Sequence, residues 1–581
     1  MGAASSRTPR RVSCSPARRT SGPSPFCRRS TETRSVRYRF EPDGSSPTVP
    51  PTRSGAFTGA IATPHTAATE AATAAYRDGG NAIDAAIAAA AVLTVVYPHN
   101  VALGGDLIAL VRTSDGVVTC VNASGWAGAA ADVAAMQAKY GSALPARGAD
   151  TVTVPGGVRG WETLRSFGSR LSWERLLRPA EQLARDGSPV AASLDEHLTD
   201  PENSDLFGQD DFDRVFRPGG RLLRRGEQFR QPALADTFAT LAAHGPDEFY
   251  TGGLAARTVQ YLRSRGSVVD GADFAEFHPE LTDPIAADFR GRTVLTSPPN
   301  THGFVMLRAL RAIDELGTDS PLGAGLGTLM RMFHHGNRLR SAYLADPRFA
   351  PVDVEALVHD DLRAATALVG ATAHAQPVPG GDTVGIAAAD GDGIAVSLIQ
   401  SVFHAFGSGL VDPRTGILFH DRGTGFSLQP ESPNLLAPRK RPAHSLMPVM
   451  VTEDGDLRHV LATMGGQGQP QILTQVFLRL AAGASAADAI AAPRAIVGRQ
   501  MLGGTDDSVV VESDADATAV AALGAAGLSV DEVPPHTEGL GQANVVSIDS
   551  NGQLTAAADP RADGSGVVAQ YARHVLGSAA G

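Results

Sequence analysis

The stretch that most constrains the fold lies between residues 381 and 401. Two apolar, β-prone runs, 386–389 and 394–401, flank the cluster Asp390-Gly391-Asp392-Gly393. A Gly/Asp cluster between two such runs is typical of a tight strand reversal, so the stretch predicts a β-hairpin. The tripeptide Gly381-Asp382-Thr383 comes directly before the first run and places a threonine at the start of a buried strand.

The reactivity of Thr383 depends on the peptide bond before it. If the bond between Asp382 and Thr383 were cut, Thr383 would carry a hydroxyl group and a free α-amino group on one residue. This is the N-terminal-threonine form of an activated nucleophile, in which the amine accepts the hydroxyl proton. On spacing alone, the simpler interpretation of Gly-Asp-Thr is turn chemistry before a strand.

Composition excludes several classes of protein. The chain has 581 residues, 43% of them hydrophobic, and a net charge of -11, which gives no support for nucleic-acid or membrane-surface binding. The longest apolar run, 82–96, is interrupted by Asp84 and is too short to span a membrane. The three cysteines do not make a disulfide framework, and we expect a cytoplasmic protein. Because no phosphate loop, serine elbow, zinc cluster or dinucleotide fingerprint is found, we expect neither a cofactor nor a metal.

The order of predicted elements indicates a layered body. Residues 1–55 are rich in Arg, Ser, Thr and Pro and predict a disordered tail outside the fold. Helices are predicted over 82–95, where Asn81 is a suitable cap, and over 173–186. After Thr383 strands dominate, with a helix near 471–482 and a last strand pair formed by 509–511 and 544–548. Helices, then strands gathered around one centre, then helices suggest an αββα arrangement.

A series of short motifs extends from about residue 59 to the C-terminus and resembles the γ-glutamyltransferase family of N-terminal-nucleophile hydrolases. Each motif is weak alone, but together they stand in the family's order: Asp78 to Ala86, Gly104-Gly105, Val154 to Gly157, Gly245-Pro246 to Phe249-Tyr250, Ala342-Tyr343 to Asp346-Pro347, Gly381-Asp382-Thr383, Phe406 to Gly409, Lys440-Arg441-Pro442, Ala492-Pro493-Arg494 and Ala558 to Arg561.

The resemblance implies an α+β fold, a four-layer αββα sandwich of the N-terminal-nucleophile hydrolase type. It implies a precursor that cleaves itself into a large subunit, 56–382, and a small subunit, 383–581, and leaves further oligomerisation open. Thr383 would then attack the carbonyl of a small-molecule substrate to form an acyl-enzyme, with its own amine as proton acceptor and donor. Water or an amine would release the acyl group.

The resemblance also implies the supporting residues of the site. Gly465 and Gly466 match the family's oxyanion-hole glycines, whose backbone N–H groups face the developing negative charge. The chain carries about two extra residues after this pair, so Gly468 is a competing candidate. Ser401 matches the hydroxyl residue that holds the nucleophile.

Two departures from the family pattern bear on the substrate. Members specific for γ-glutamyl groups bind the substrate α-carboxylate with an arginine, and Ser124 stands at that position here. They bind the α-ammonium group with an aspartate before a Phe-Ser pair, and Gly425 stands there; Asp421 is a nearby candidate substitute, but nothing in the spacing assigns it that role. Losing one partner of such a buried contact commonly costs about 2–5 kcal/mol. These departures argue against glutathione as the preferred substrate.

Three further residues complete the predicted substrate-binding set. His444 stands where glutathione-type members carry a serine, which is similar to the acylase-like branch of the family, and Ser445 follows it. His444 either contacts the substrate or is a satisfied core residue; both interpretations are open. Phe403, at the end of the hairpin, is the third candidate.

The leading hypothesis is a self-processing amidohydrolase or acyltransferase that acts on an amide other than glutathione. A second is a C–C bond hydrolase of the kind found in actinobacterial antibiotic pathways that make alkylated prolines. A genuine γ-glutamyl hydrolase or transpeptidase and a non-catalytic binding relative are the remaining alternatives. Cleavage of the precursor separates the enzymes from the binding relative.

Overall fold

The computed structural model describes residues 56–366, 382–499 and 504–572. The predicted disordered tail, 1–55, therefore lies outside the described residues, as do the residues directly before Asp382. Within the described ranges, no helix combines the length and the apolar character that crossing a membrane requires.

The described residues contain strands of two to nine residues. They are β1 (Ala56–Thr63), β2 (Asp106–Arg112), β3 (Val118–Ala123), β4 (Ser188–Pro189), β5 (Gln228–Phe229), β6 (Glu280–Thr282), β7 (Ile285–Phe289), β8 (Arg292–Thr296), β9 (Asp382–Asp390), β10 (Ala395–Phe403), β11 (Val449–Glu453), β12 (Asp456–Thr463), β13 (Ala495–Val497), β14 (Ser508–Glu512), β15 (Ser529–Val533), β16 (Ala543–Ile548), β17 (Leu554–Ala558) and β18 (Ser565–Ala572).

The α-helices of the same ranges are α1 (Thr66–Arg77), α2 (Ala82–Val96), α3 (Val133–Tyr140), α4 (Gly157–Arg165), α5 (Trp173–Asp186), α6 (Ala192–Thr199), α7 (Asp210–Phe216), α8 (Pro232–His244), α9 (Gly253–Ser264), α10 (Gly271–Ala275), α11 (Phe304–Glu315), α12 (Leu326–Tyr343), α13 (Val354–His359), α14 (Gln469–Ala481), α15 (Ala486–Ala491) and α16 (Ala517–Ala525).

Two large sheets form the centre of the fold. The first has the order β18-β1-β9-β10-β2-β3-β6, so the predicted hairpin lies at its middle. The second has the order β17-β16-β12-β11-β8-β7. A small sheet, β13-β14-β15, and the short pair β4-β5 complete the strands of the described ranges.

The apolar residues of the hairpin alternate between two cores. Val396 and Leu398 of β10 belong to a core shared with α1, α2 and α5. Ala395 and Ile399 belong to a core shared with residues of the second sheet, such as Met450. Because successive strand residues point to opposite faces, each face of the first sheet is covered, and this explains why every residue of β9 and β10 is buried.

Helices also cover the other face of the second sheet. A third core joins α11, α12 and α14 to alternate residues of this sheet, among them Val449 and Val451 of β11. The helix predicted over 82–95 is α2, and it is buried along its whole length. The Asn81 side chain caps α2 by accepting hydrogen bonds from Ile83 N and Asp84 N, as its sequence position predicts.

The hairpin prediction is confirmed, since β9 and β10 pair antiparallel across the turn 391–394. The predicted last strand pair is wrong. Strand β14 pairs with β13 and β15, whereas β16 lies in the second large sheet between β12 and β17. The sequence pattern predicts the positions of both strands correctly, but it does not predict which strands pair, because pairing depends on how distant segments pack.

Candidate active site

Thr383 and Ser401 form the centre of the site. The Thr383 hydroxyl donates a hydrogen bond to Ser401 Oγ over 3.0 Å, and both residues are buried. Ser401 Oγ donates to the Asp382 carbonyl oxygen over 2.6 Å and accepts from the Phe403 N–H over 2.8 Å. The structure therefore gathers the hydroxyl of Thr383 and the carbonyl of the preceding peptide bond around one serine.

An irregularity in the hairpin lies next to this pair of residues. Gln400 pairs with Val384 and Phe403 with Asp382, so three steps along β10 oppose two steps along β9. One extra residue in β10 is a β-bulge, a feature that re-aims nearby side chains. Phe403 has a positive φ of 83°, which is uncommon for a residue other than glycine. Extending the regular register by one residue places Ser401 opposite Thr383, and the bulge beyond it makes Phe403 the partner of Asp382, where the Phe403 N–H donates to Ser401 Oγ.

A second polar group holds the Asp382 side chain. His197 Nε2 lies 3.4 Å from Asp382 Oδ1, and its Nδ1 lies 2.9 Å from the Ser193 carbonyl oxygen. Burial opposes the charge on His197, but the Asp382 carboxylate raises the pKa of this histidine to about 10. Ser193 Oγ donates to Glu538 Oε1 over 2.7 Å. Sequence reasoning missed His197 and Glu538, which lie far from Asp382 along the chain.

These side chains also include a possible set of metal ligands. Within the described ranges, ligand atoms of His99, His197 and Glu538 lie within 4.8 Å of one another. Both nitrogens of His197 already contact protein groups, and His99 Nε2 lies 2.8 Å from Ser193 Oγ. We therefore interpret the group as a hydrogen-bonded support for Asp382.

The candidate oxyanion glycines follow β12. Gly465 and Gly466 have φ values of 128° and 49°, in the region that favours glycine. The Gly468 N–H donates to the Gly465 carbonyl oxygen over 2.8 Å, so it is used inside the turn. Within the described residues, the buried N–H groups of Gly465 and Gly466 have no acceptor. Of the competing candidates, this pair has donors to offer a developing oxyanion.

Contact between the two sheets brings this turn toward the nucleophile. A Cβ atom at Gly385 would lie 2.6 Å from Thr463 N, so β9 touches the end of β12 at this point. Thr383 is two residues before Gly385 and therefore faces the same side of the sheet. On the far side of the turn, Arg340 of α12 donates to the Gln467 side chain and supports the loop.

Ser124 is part of a buried network of protein groups. Its hydroxyl donates to Asn122 Oδ1 over 2.7 Å and lies 3.3 Å from Asn300 Nδ2. Its carbonyl oxygen accepts from Arg441 Nε over 3.0 Å. Ser124 is fully buried, and its hydroxyl is engaged by neighbouring side chains.

His444 lies in the same buried region. Its Nε2 is 3.2 Å from Asp106 Oδ2, and its Nδ1 accepts from the Leu446 N–H over 3.3 Å. Burial lowers the pKa of His444 to about 4, so the ring is neutral at pH 7. Burial opposes the Asp106 charge, but His420 and His444 lower the pKa of this carboxyl. This geometry favours the core interpretation of His444.

The remaining candidates converge on a residue that the sequence did not single out. The Arg422 guanidinium lies over the Phe403 ring, 3.5 Å from its centroid, and Nη1 donates to Ser445 Oγ over 3.1 Å. A Cβ atom at Gly425 would lie 3.2 Å from Arg422 Nη2. Asp421, weighed as a substitute for the missing aspartate, is bound to His404 Nδ1 at 2.5 Å. Phe403, Ser445 and Gly425 therefore surround a cation.

Comparison with known proteins identifies the family of this chain. The family model for γ-glutamyltranspeptidase matches residues 68–569. The chain is 36% identical over 520 residues to an oxamate amidohydrolase proenzyme of Klebsiella pneumoniae, covering 87% of this chain and 98% of the relative. It is also 36% identical over 524 residues to a glutathione hydrolase-like proenzyme, YwrD, of Bacillus subtilis, covering 87% and 98%.

Among solved structures, a cephalosporin acylase from Bacillus halodurans aligns with a TM-score of 0.81 and 31% identity. The alignment covers 92% of this chain and 100% of the acylase chain. The relatives are hydrolases and amidohydrolases with a proenzyme form. The chain is therefore an enzyme that belongs to the γ-glutamyltranspeptidase family of N-terminal-nucleophile hydrolases.

Proposed function

We propose that the chain is a precursor that cleaves itself between Asp382 and Thr383. In this step the Thr383 oxygen attacks the Asp382 carbonyl carbon, the C–N bond breaks, and the hydroxyl proton moves to the leaving nitrogen. Water then hydrolyses the resulting ester, which leaves a carboxylate on Asp382 and a free amine on Thr383. The observation that carries this proposal is the placement of the Thr383 hydroxyl and the Asp382 carbonyl on Ser401 Oγ, at 3.0 and 2.6 Å.

The same atoms then act on an amide substrate. The Thr383 amine accepts the proton of its own hydroxyl, the oxygen attacks the substrate carbonyl, and the proton passes to the leaving amine. The N–H groups of Gly465 and Gly466 stabilise the oxyanion, a contact type worth about 3–4 kcal/mol per donor. Water releases the acyl group and regenerates Thr383. His197 holds Asp382, the last residue of the large subunit, during and after the first step.

The substrate that we propose is an amide other than glutathione. Ser124 is engaged within the protein, and Gly425 offers no carboxylate, so neither of the two contacts that γ-glutamyl-specific members make to the substrate zwitterion is available here. The name of the Klebsiella relative, an oxamate amidohydrolase, shows that the family includes amidohydrolases with other substrates.

The proposal includes the subunit boundaries and the layered architecture. The large subunit is 56–382 and the small subunit 383–581, so scission leaves β10 and all of β9 after Asp382 in the small subunit, at the centre of the first sheet. A four-layer αββα sandwich is supported by three separate cores: one on the helical face of each large sheet and one between the sheets.

The intact mass of the purified protein, wild type beside Thr383→Ala, tests the proposal. We expect the wild type to yield two fragments that meet between Asp382 and Thr383, and the variant to remain one inert chain. Thr383→Ser is the matched control, because it keeps a hydroxyl nucleophile and is expected to be cleaved. An active wild type that is one unbroken polypeptide, or activity in Thr383→Ala, would show that the proposal is wrong.

A further inference from the structure

Arg422 is a buried cation that lacks an ion-pair partner among the described residues. Arg422 is only 4% exposed, and its Nη1 donates to the neutral Ser445 hydroxyl. Nε has no hydrogen-bond partner there, and the Phe403 ring covers one face of the guanidinium. The carboxylates that act on it from a distance, Asp106 and Asp421, are each bound to histidines.

A buried charge without a partner is costly, so its retention needs an explanation. Burial lowers the pKa of Arg422 to about 10, and the group therefore still carries its charge at pH 7. Arginine presents N–H groups in a planar fork that matches a carboxylate with two parallel hydrogen bonds. Nε is buried without a hydrogen-bond partner among the described residues, and Nη2 lies next to position 425, so this edge of Arg422 keeps two donors for such a contact.

The position of Arg422 connects it with the nucleophile. The Phe403 ring under the guanidinium belongs to the residue that pairs with Asp382 and whose N–H donates to Ser401 Oγ. One residue thus separates the guanidinium from the Thr383–Ser401 pair. Gly425 is partly exposed, so the guanidinium lies close to the surface where a Cβ at that position would contact Nη2.

We infer that Arg422 binds a carboxylate of the acyl donor, so that the substrate is a half-amide of a dicarboxylic acid. This inference rests on the proposed function. The cation beside position 425 stands where γ-glutamyl-specific members carry an anion, which reverses the charge that the pocket accepts. The reaction converts the half-amide and water to a dicarboxylate and an amine. Thr383 Oγ forms the acyl ester, the C–N bond breaks, and the amine leaves with the proton from the Thr383 ammonium group.

A paired set of substrates tests the inference. Succinamate and butanamide differ in one end, where a carboxylate replaces a methyl group, and ammonia release reports the hydrolysis of both. For wild type we expect kcat/KM for succinamate to exceed that for butanamide by about 30-fold or more. Oxamate, malonamate and glutaramate then establish the preferred chain length.

The variant Arg422→Met removes the charge and keeps the apolar stem over Phe403. We expect it to be cleaved and to lose about 30-fold to several-thousand-fold in the ratio of kcat/KM for succinamate to kcat/KM for butanamide. Arg422→Lys keeps the charge without the planar fork, and we expect its kcat/KM for the half-amide to lie between the values for wild type and Arg422→Met. Arg185→Met, on the exposed face of α5, is the control and is expected to behave as wild type.

The outcomes separate the inference from the proposed function. A cleaved Arg422→Met enzyme that keeps the preference for succinamate overturns the inference and leaves the Thr383 chemistry in place. A wild type that is never cleaved and hydrolyses no amide overturns the proposed function itself. Where Arg422→Met fails to fold, competitive inhibition of butanamide hydrolysis by succinate in wild type decides: inhibition supports the inference, and its absence overturns it.

Discussion

Ser401 Oγ lies 3.0 Å from the Thr383 hydroxyl and 2.6 Å from the carbonyl oxygen of the peptide bond that precedes Thr383. A single side chain thus orients the attacking oxygen and polarises the carbonyl that it attacks. Regular pairing of the two strands, continued from Gln400 and Val384, places Ser401 opposite Thr383. The bulge in β10 then makes Phe403, whose N–H donates to Ser401 Oγ, the partner of Asp382. The hairpin register and the bulge both contribute to the contacts of Ser401 Oγ.

Ser401→Ala is expected to slow self-cleavage by on the order of 100-fold, the usual effect of removing one donor to a developing oxyanion. Denaturing gels of freshly made protein over time give the rate. The matched control is Ser397→Ala, on the same strand, whose hydroxyl donates to the Leu461 carbonyl oxygen over 2.7 Å. This control removes a bond between the sheets and is expected to lower the melting temperature while cleavage stays complete. Equal cleavage rates in both variants would contradict the role of Ser401.

Gly465→Ala is expected to reduce kcat by about 10²–10³-fold, the cost of losing one oxyanion donor. The φ of 128° disfavours alanine, and the new Cβ would lie 2.3 Å from Ile472 Cδ1, so the backbone must move. Gly468→Ala is the control, because its Cβ would lie 3.2 Å from Ile496 Cδ1 and its N–H is already used in the turn. The kcat values of the two cleaved variants, measured by steady-state kinetics, test this prediction. A larger loss in Gly468→Ala would move the oxyanion hole to that residue.

The sequence predicted the parts of this site that depend on local signals. The hairpin followed from two apolar runs around a Gly/Asp turn, and α2 followed from the cap residue Asn81. Thr383, Ser401 and the glycine pair followed from the family resemblance. The contact between Thr383 and Ser401 follows from the register of the hairpin, whereas the bulge that pairs Phe403 with Asp382 has no local signal in the sequence of β10.

Contacts between segments far apart in the sequence could not be predicted in the same way. The partner of β14 was assigned wrongly because strand pairing depends on how distant segments pack. Arg422 was missed because an arginine in a polar segment is normally solvated, and only the fold shows that it is buried without an ion-pair partner in the described ranges. His197 reaches Asp382 from a separate helix, α6, across 185 positions of sequence.

His444→Gln is expected to make the protein less sensitive to acid. Burial lowers the pKa of His444 in the folded state from 6.5 to about 4, so below pH 6.5 the unfolded chain binds a proton that the folded chain refuses. This part of the stability is present above pH 6.5 and is lost as the pH falls through 4; its full size is about 3 kcal/mol. Glutamine can still donate to Asp106 but does not titrate.

Melting temperatures between pH 7.5 and pH 4, measured on the uncleaved Thr383→Ala background, provide the check. The slope with pH should be shallower in His444→Gln than in the protein with His444. The core interpretation of His444 also requires that kcat/KM of the cleaved His444→Gln enzyme stays near wild type. A large rise in KM with an unchanged pH slope would instead identify His444 as a substrate contact.

Gly425→Asp is expected to abolish the preference for anionic substrates. The new Cβ would lie 3.2 Å from Arg422 Nη2, so the carboxylate can pair with the guanidinium and occupy the site that we assign to the substrate carboxylate. The kcat/KM for succinamate should fall by about 30-fold or more, while butanamide is hydrolysed as before. Gly425→Asn is the matched control, because it adds the same bulk without the charge and is expected to reduce succinamate turnover much less. Equal losses in the two variants would mean that bulk at position 425, and not charge, excludes the half-amide, and would remove the support that Gly425 gives to the assignment of Arg422.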